Sequence, residues 1–272
     1  RWTGATDVSN LNLSTALTIT SGTGTLNSTV AFLASDVTGA ADASTVTLKG
    51  VLDGAELDFT GAVETITINT ASAAARFDEL VFASTTTALA IGADEALRVD
   101  EVFTGAGLTS LTVTGDSSVI ITPTLADTVA TVQASTNTGG VNVLIGNVAA
   151  TVTGGSGNDR FAFAAAELTS TDTVVGGAGT DTLSIMDETI STALATEINA
   201  STGIEQLEMG ATGATIDMAI AMNSFTGMEK FIVSGAAPVG TVGGAALGSI
   251  AATVGTVAMT LTTNDSDTIQ FK

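Results

Sequence analysis

Apolar and polar residues alternate in short runs along much of this chain. Thr45–Leu48, Thr65–Ile68, Leu111–Thr114, Val119–Thr122 and Val141–Ile145 set Val, Ile or Leu against Thr or Asn, and Phe231–Val233 is a further short run. A period of two is the signature of half-buried strands. Gly, Asn, Asp and Ser separate the runs. Pro123 and Pro238 are the only prolines, so little blocks continuous strand ladders.

A looser repeat overlies the alternation. Its form is apolar-x-x-apolar-x-apolar, read at Val63–Ile68, Leu108–Val113, Ile204–Met209 and Met228–Val233, with Glu64, Glu205 and Glu229 after the first apolar residue in three copies. The spacing between copies is irregular. It predicts stacked coils of variable length, with loops absorbing the differences.

Two segments depart from the strand pattern. In Asp187–Ser201, Ile190, Leu194 and Ile198 fall four apart on one stripe, which predicts a helix with Asp187 as its cap and Glu188 in its first turn. Ala71–Leu80 is a second helical candidate. Ile216, Met218, Ile220 and Met222 alternate and read as a strand. The expected fold is therefore all-β: a right-handed parallel β-helix or β-solenoid with one or two short helices.

Composition narrows the function. The core must be built from small and β-branched residues, because only 4% of positions are aromatic while 44% are apolar. The chain has no His and no Cys, which removes imidazole catalysis, disulfides and thiolate metal sites. The net charge of −21 repels nucleic acid and anionic membranes, and leaves solubility or the binding of hard cations through oxygen. No apolar run reaches the roughly 18 residues that span a bilayer. The chain opens Arg1-Trp2-Thr3 without Met, which reads as a processed product or a piece of a longer protein.

One motif carries chemistry. Residues 154–162 read Gly-Gly-Ser-Gly-Asn-Asp-Arg-Phe-Ala and residues 176–184 read Gly-Gly-Ala-Gly-Thr-Asp-Thr-Leu-Ser. Both fit the nonapeptide G-G-x-G-x-D-x-U-x, in which U is a large apolar residue. The glycines let the backbone curl tightly, the curl turns carbonyl oxygens inward, and Asp159 or Asp181 adds a carboxylate. Two such turns stacked would offer about six oxygens, which suits Ca²⁺. Phe161 and Leu183 then begin short strands. The two copies start 22 residues apart, where two nonapeptides would give 18. Phe163–Val175 thus reads as an opposite-edge repeat enlarged by a loop around Ala164–Ser170, ending in phase at Asp172-Thr173-Val174-Val175. Arg160 adds a positive charge beside the first turn. Asn264–Ile269 keeps the Asp and apolar positions of the motif without its glycines. A G-x-G-x-x-G nucleotide loop is excluded by the absence of βαβ context and by the acidic surroundings.

The run from Gly154 through Phe161, Leu168 and Asp172 to Gly176–Leu183 resembles the RTX family of calcium-binding repeats. The resemblance implies Ca²⁺ held by the carboxylates of Asp159 and Asp181, with backbone oxygens of Gly154, Ser156, Asn158, Gly176, Ala178 and Thr180. Asp172 matches the last part of the motif alone. More broadly, the Thr/Ala/Gly-rich stretch Val129–Ile145, the approach Ala149–Thr153 and the Glu-containing hexads resemble the surface-layer branch of RTX proteins. That likeness implies type I secretion, a bacterial cell-surface location and assembly into a lattice of identical chains, with a cell-surface polysaccharide as a possible anchor. The expected organisation is a Thr/Ala/Gly-rich β-solenoid over 1–152, an RTX roll over 153–186, and a helix with further coils over 187–272.

Paired acids such as Asp94/Glu95 and Asp100/Glu101 have the residue types of a glycosidase pair, but the chain lacks the aromatics that line sugar clefts. No enzyme activity is expected. Asp94, Glu95 and Asp100 form the densest acidic group and a candidate secondary cation site. The function expected is a secreted, calcium-stabilised structural protein, an S-layer or extracellular array subunit. The repeat region of an RTX adhesin, or the carrier domain of a secreted hydrolase or toxin, is the alternative.

Overall fold

The computed structural model describes residues 7–20, 27–49, 52–146, 149–186, 190–209, 230–234 and 258–262. The expected strand at Ile216–Met222, the degenerate motif at Asn264–Ile269 and the expected cap Asp187 lie outside the described residues.

The chain winds as a parallel β-solenoid. Its first strands are β1 (Val8–Leu11), β2 (Leu17–Thr20), β3 (Asn27–Phe32), β4 (Ala43–Lys49) and β5 (Leu52–Thr60). There follow β6 (Thr65–Ala71), β7 (Ala75–Phe82), β8 (Ala88–Ala93), β9 (Leu97–Thr104) and β10 (Ser110–Gly115). The middle coils carry β11 (Val119–Thr124), β12 (Thr131–Asn137), β13 (Val141–Ile145), β14 (Thr151–Thr153) and β15 (Arg160–Phe163). Then come β16 (Thr173–Val175), β17 (Thr182–Ile185), α1 (Thr192–Ala200), β18 (Gln206–Met209), β19 (Lys230–Ser234) and β20 (Ala258–Thr262).

From β1 to β17 the strands alternate between two parallel sheets. The first holds β1, the odd-numbered strands to β17, and then β18, β19 and β20. The second holds the even-numbered strands from β2 to β16. Each coil thus gives one strand to each sheet, and inward side chains of both meet in a single core. Val46, Leu48, Ile66, Ile68, Leu111 and Val113 face it from the second sheet, and Leu57, Phe77, Val99, Ile121 and Phe161 from the first. Three of its rings form a short file, with Phe59 stacked on Phe82 at 5.5 Å and Phe103 edge-on to Phe82 at 5.8 Å.

The pairing gives the coil length directly. Leu97 pairs with Val119, and Val119 with Val141, each 22 residues on. Asn142 then pairs with Arg160 after 18 residues, and Arg160 with Thr182 after 22. The 22-residue step between the two glycine motifs is therefore the ordinary coil of this solenoid, and the 18-residue step before it is the short one. The expected loop is present: β15 ends at Phe163, a turn follows, and β16 starts at Thr173. The same ladder joins β13, β15, β17 and β18, so strand pairing runs through positions 152/153 and 186/187.

Two expectations about helices change. Ala71–Leu80 is not helical; it contains the end of β6 and most of β7. A bulge between Phe77 and Glu79 shifts the register there, so Phe77 and Leu80 are both buried three apart and imitate a helical period. The helix expected over Asp187–Ser201 is present but shorter, Thr192–Ala200. Ser191 caps it, its hydroxyl accepting from Leu194 N at 3.1 Å, and Leu194, Ala195 and Ile198 are its buried face.

Candidate metal centre at the glycine corner

Both glycine motifs occupy the same corner, where the chain leaves the second sheet for the first. Residues 154–159 join β14 to β15, and residues 176–181 join β16 to β17. Stacking is direct: Gly154 N donates to Val175 O at 2.8 Å, Ala178 N to Gly155 O at 2.9 Å and Thr182 N to Asp159 O at 2.8 Å. The approach demands glycine. A Cβ on Gly154 would collide with the Gly176 carbonyl oxygen and the Asp159 carboxylate; a Cβ on Gly176 would collide with the Gly203 carbonyl oxygen and lie 2.7 Å from Asp181 Oδ2. Each turn therefore brings its own carboxylate and the carbonyl of the following coil against its first glycine.

The acids form a row down this corner. Asp159 Oδ1 accepts from Val141 N at 2.6 Å and its Oδ2 from Gly155 N at 2.7 Å. Asp181 Oδ1 accepts from Asp159 N at 2.8 Å, and Glu205 Oε2 from Asp181 N at 2.8 Å. Each acid precedes its strand and accepts the amide at the matching position one coil earlier. Asp159 and Asp181 are fully buried, and Asp181 Oδ2 has no hydrogen-bond partner among the described residues. Burial pushes the Asp159 carboxyl above its ordinary range, against the amides of Gly155 and Val141. Burial, joined by the charges of Asp159 and Glu205, pushes Asp181 up to about 6, against the amide of Asp159. These are carboxylates short of positive charge.

The oxygens needed for a hard cation are partly in place. No described backbone N–H donates to the carbonyls of Gly154, Ser156, Asn158, Gly176, Ala178 or Thr180. Asp159 and Asp181 keep lone pairs beyond the amides they accept. Among the described residues no three acidic side chains converge on one point, so carbonyl oxygens would have to complete any coordination. The unpartnered Asp181 Oδ2, next to the buried Gly176 and the Gly203 carbonyl, fits Ca²⁺ best.

Asp172 lies elsewhere. It precedes β16 at the opposite corner, its Oδ1 accepting from Ala150 N at 2.8 Å and its Oδ2 from Thr169 N at 2.8 Å and Thr169 Oγ1 at 2.9 Å. The structure does not bring it to Asp159 and Asp181. Nor does Arg160 weigh on the corner: its guanidinium pairs with Glu208 at 2.7 Å and donates to Ser184 Oγ and Asn142 Oδ1. The group Asp94, Glu95 and Asp100 is split. Asp94 and Glu95 sit in the turn after β8, while Asp100 lies on β9 between Arg76 and Arg98. Burial acts to raise the Asp100 carboxyl, but the hydrogen bonds and charges of Arg98 and Arg76 outweigh it and hold it low.

No protein-family model fits this chain, and comparison with curated proteins and with solved structures gives no significant match. The RTX resemblance rests on the two nonapeptides of the sequence alone.

Sequence reasoning did not assign Gly203 or Glu205 to this corner, nor Asn137 to the equivalent one before it. Gly203 supplies a carbonyl from an unrelated stretch. Glu205 was visible as the Glu of a hexad, but not as the next acid of the row. Asn137, fully buried, fills the equivalent corner one coil earlier, its Oδ1 accepting from Gly139 and Gly140 and its Nδ2 donating to Gly115 O and Ser117 O. An amide there satisfies both donors and acceptors, where the later coils use acids.

Proposed function

We propose that this chain is a calcium-stabilised structural protein of the bacterial cell surface, an S-layer or extracellular array subunit delivered by type I secretion. The observation that carries this reading is the acid row Asp159–Asp181–Glu205, its first two members buried, at a glycine-lined corner where the carbonyls of Gly154, Ser156, Asn158, Gly176, Ala178 and Thr180 accept no described backbone amide. Ca²⁺ would be held by the carboxylates of Asp159 and Asp181 with carbonyl oxygens of the two glycine turns and of Gly203; Asp172 is not in that set. The ion would supply the positive charge that the corner lacks. Asp159 and Asp181 would still hold the amides of neighbouring coils, so metal binding and coil stacking would reinforce each other. A chain weakly folded without calcium and firm with it suits export from a calcium-poor cytoplasm to a calcium-rich exterior.

The test is assembly. Purified chain in millimolar Ca²⁺ is examined by negative-stain electron microscopy, then treated with chelator. Ordered sheets or filaments that disperse on chelation are expected. A dispersed monomer at every calcium and protein concentration contradicts the array reading.

A further inference from the structure

We propose that the outer face of the second sheet is the surface through which two copies of this chain meet; this rests on the array reading and names its contact. The face is set by register. Thr45, Thr67, Ala90 and Thr112 are paired partners in successive strands, and Thr65 and Ser110 lie in the neighbouring column. Their side chains point away from the core and are exposed or half-buried, alternating with buried Val46, Ile66, Leu89 and Leu111. From β4 through β10 the pairing contains no bulge, so the surface is regular, as a repeated contact requires.

Charge decides the occupant. Among the described residues, the strands of this sheet carry one charged side chain, Lys49 at the end of β4. The outer face of the first sheet carries Glu56, Asp58, Asp78 and Asp100 together with Arg76 and Arg98. In a chain of net charge −21, two copies meeting through the first sheet would have to align its acids against Arg76 and Arg98 or oppose like charges. On this face they oppose Thr, Ser and Ala. A strongly basic partner would instead be drawn to the acidic surfaces. The size also fits. Seven strands from β4 to β16 at about 4.8 Å span roughly 30 Å. With strands of three to seven residues, about 17 Å long on average at ~3.3 Å per residue, the face offers on the order of 500 Å² per copy, near the ~1,000 Å² total that marks a specific contact and below that of an obligate dimer. Such a contact gains strength by repetition in an array.

The experiment measures self-association of the full chain in Ca²⁺ by sedimentation velocity, for wild type, Thr112→Glu, Thr67→Glu and the control Thr122→Glu on the first sheet. The two face variants are expected to weaken association at least ~10-fold, since opposed like charges cost several kcal/mol, with the control unchanged. Circular dichroism checks folding. Because the chain has no cysteine, Thr112→Cys gives a second readout: it is expected to form disulfide-linked dimers under oxidation, and Thr122→Cys is not. Association unaltered in the face variants, with no Thr112→Cys crosslink, overturns this face while leaving the array reading intact. A wild type that never associates overturns both.

Discussion

A buried carboxylate beside backbone amides still wants a proton or a cation, and at Asp181 the two compete. Its pKa of about 6 lies above the ordinary 3.8. The metal-free folded state therefore holds this proton more tightly than the unfolded chain does. The contribution is fully present below about pH 4 and is lost as pH rises through 6, a difference of about 3 kcal/mol at most. Asp159, also raised, adds in the same direction. In chelator, thermal melts from pH 4 to 7.5 should show stability falling across that window; a rise from Asp181 and Asp159 would contradict the assignment. Calcium bound as proposed would reverse the trend, because the ion requires the deprotonated acid. Its stabilisation should be large at pH 7.5 and shrink below 6. Asp181→Asn separates the two roles. It keeps an oxygen for the Asp159 amide but loses the charge, so it should melt at or above wild type in chelator and respond little to Ca²⁺.

At the scale of elements, the acid before a strand proves to be a general device. Glu64 Oε2 accepts from Asp42 N at 2.8 Å, just as Glu205 accepts from Asp181 and Asp172 from Ala150. This explains the Glu of two hexads, Glu64 and Glu205: each ties its coil to the coil before, while Glu229 lies outside the described residues. Where Glu is missing, Thr takes part, as when Thr109 Oγ1 donates to Thr87 O at 3.0 Å. Removing one tie strands an amide and should cost roughly 1–3 kcal/mol. Glu64→Ala and Asp172→Ala are therefore expected to lower the melting temperature while leaving the calcium response intact, measured as melting shifts with and without the ion. A calcium response lost in Asp172→Ala would return that residue to the metal site. The same scale shows what the sequence could tell. Thr65–Ile68 and Val141–Ile145 lie within regular strands, and alternation exposed them. The strand β8, Ala88–Ala93, was not legible, because Ala and Gly give a weak strand signal. Bulges in β7 and β9 broke the period of two. The glycine turns were readable because their composition is the geometry, whereas Gly203 contributes only through the fold.

At the scale of the whole molecule, the solenoid segregates its chemistry. One sheet carries charges outside, the other almost none, and one corner collects buried acids. Each coil contacts mainly its neighbours, as the ladder order requires, so a tie at one corner stabilises the adjacent coils first. The proposed role of the corner as a calcium staple is tested most directly by the melting temperature of wild type at pH 7.5, in chelator and in millimolar Ca²⁺, beside Asp181→Asn. An ion at about 100 times its dissociation constant adds about 2.7 kcal/mol, which for a chain of this size is a shift of roughly 5–10 °C. That shift is expected in wild type, and little of it in the variant. Identical wild-type curves in chelator and calcium would contradict it.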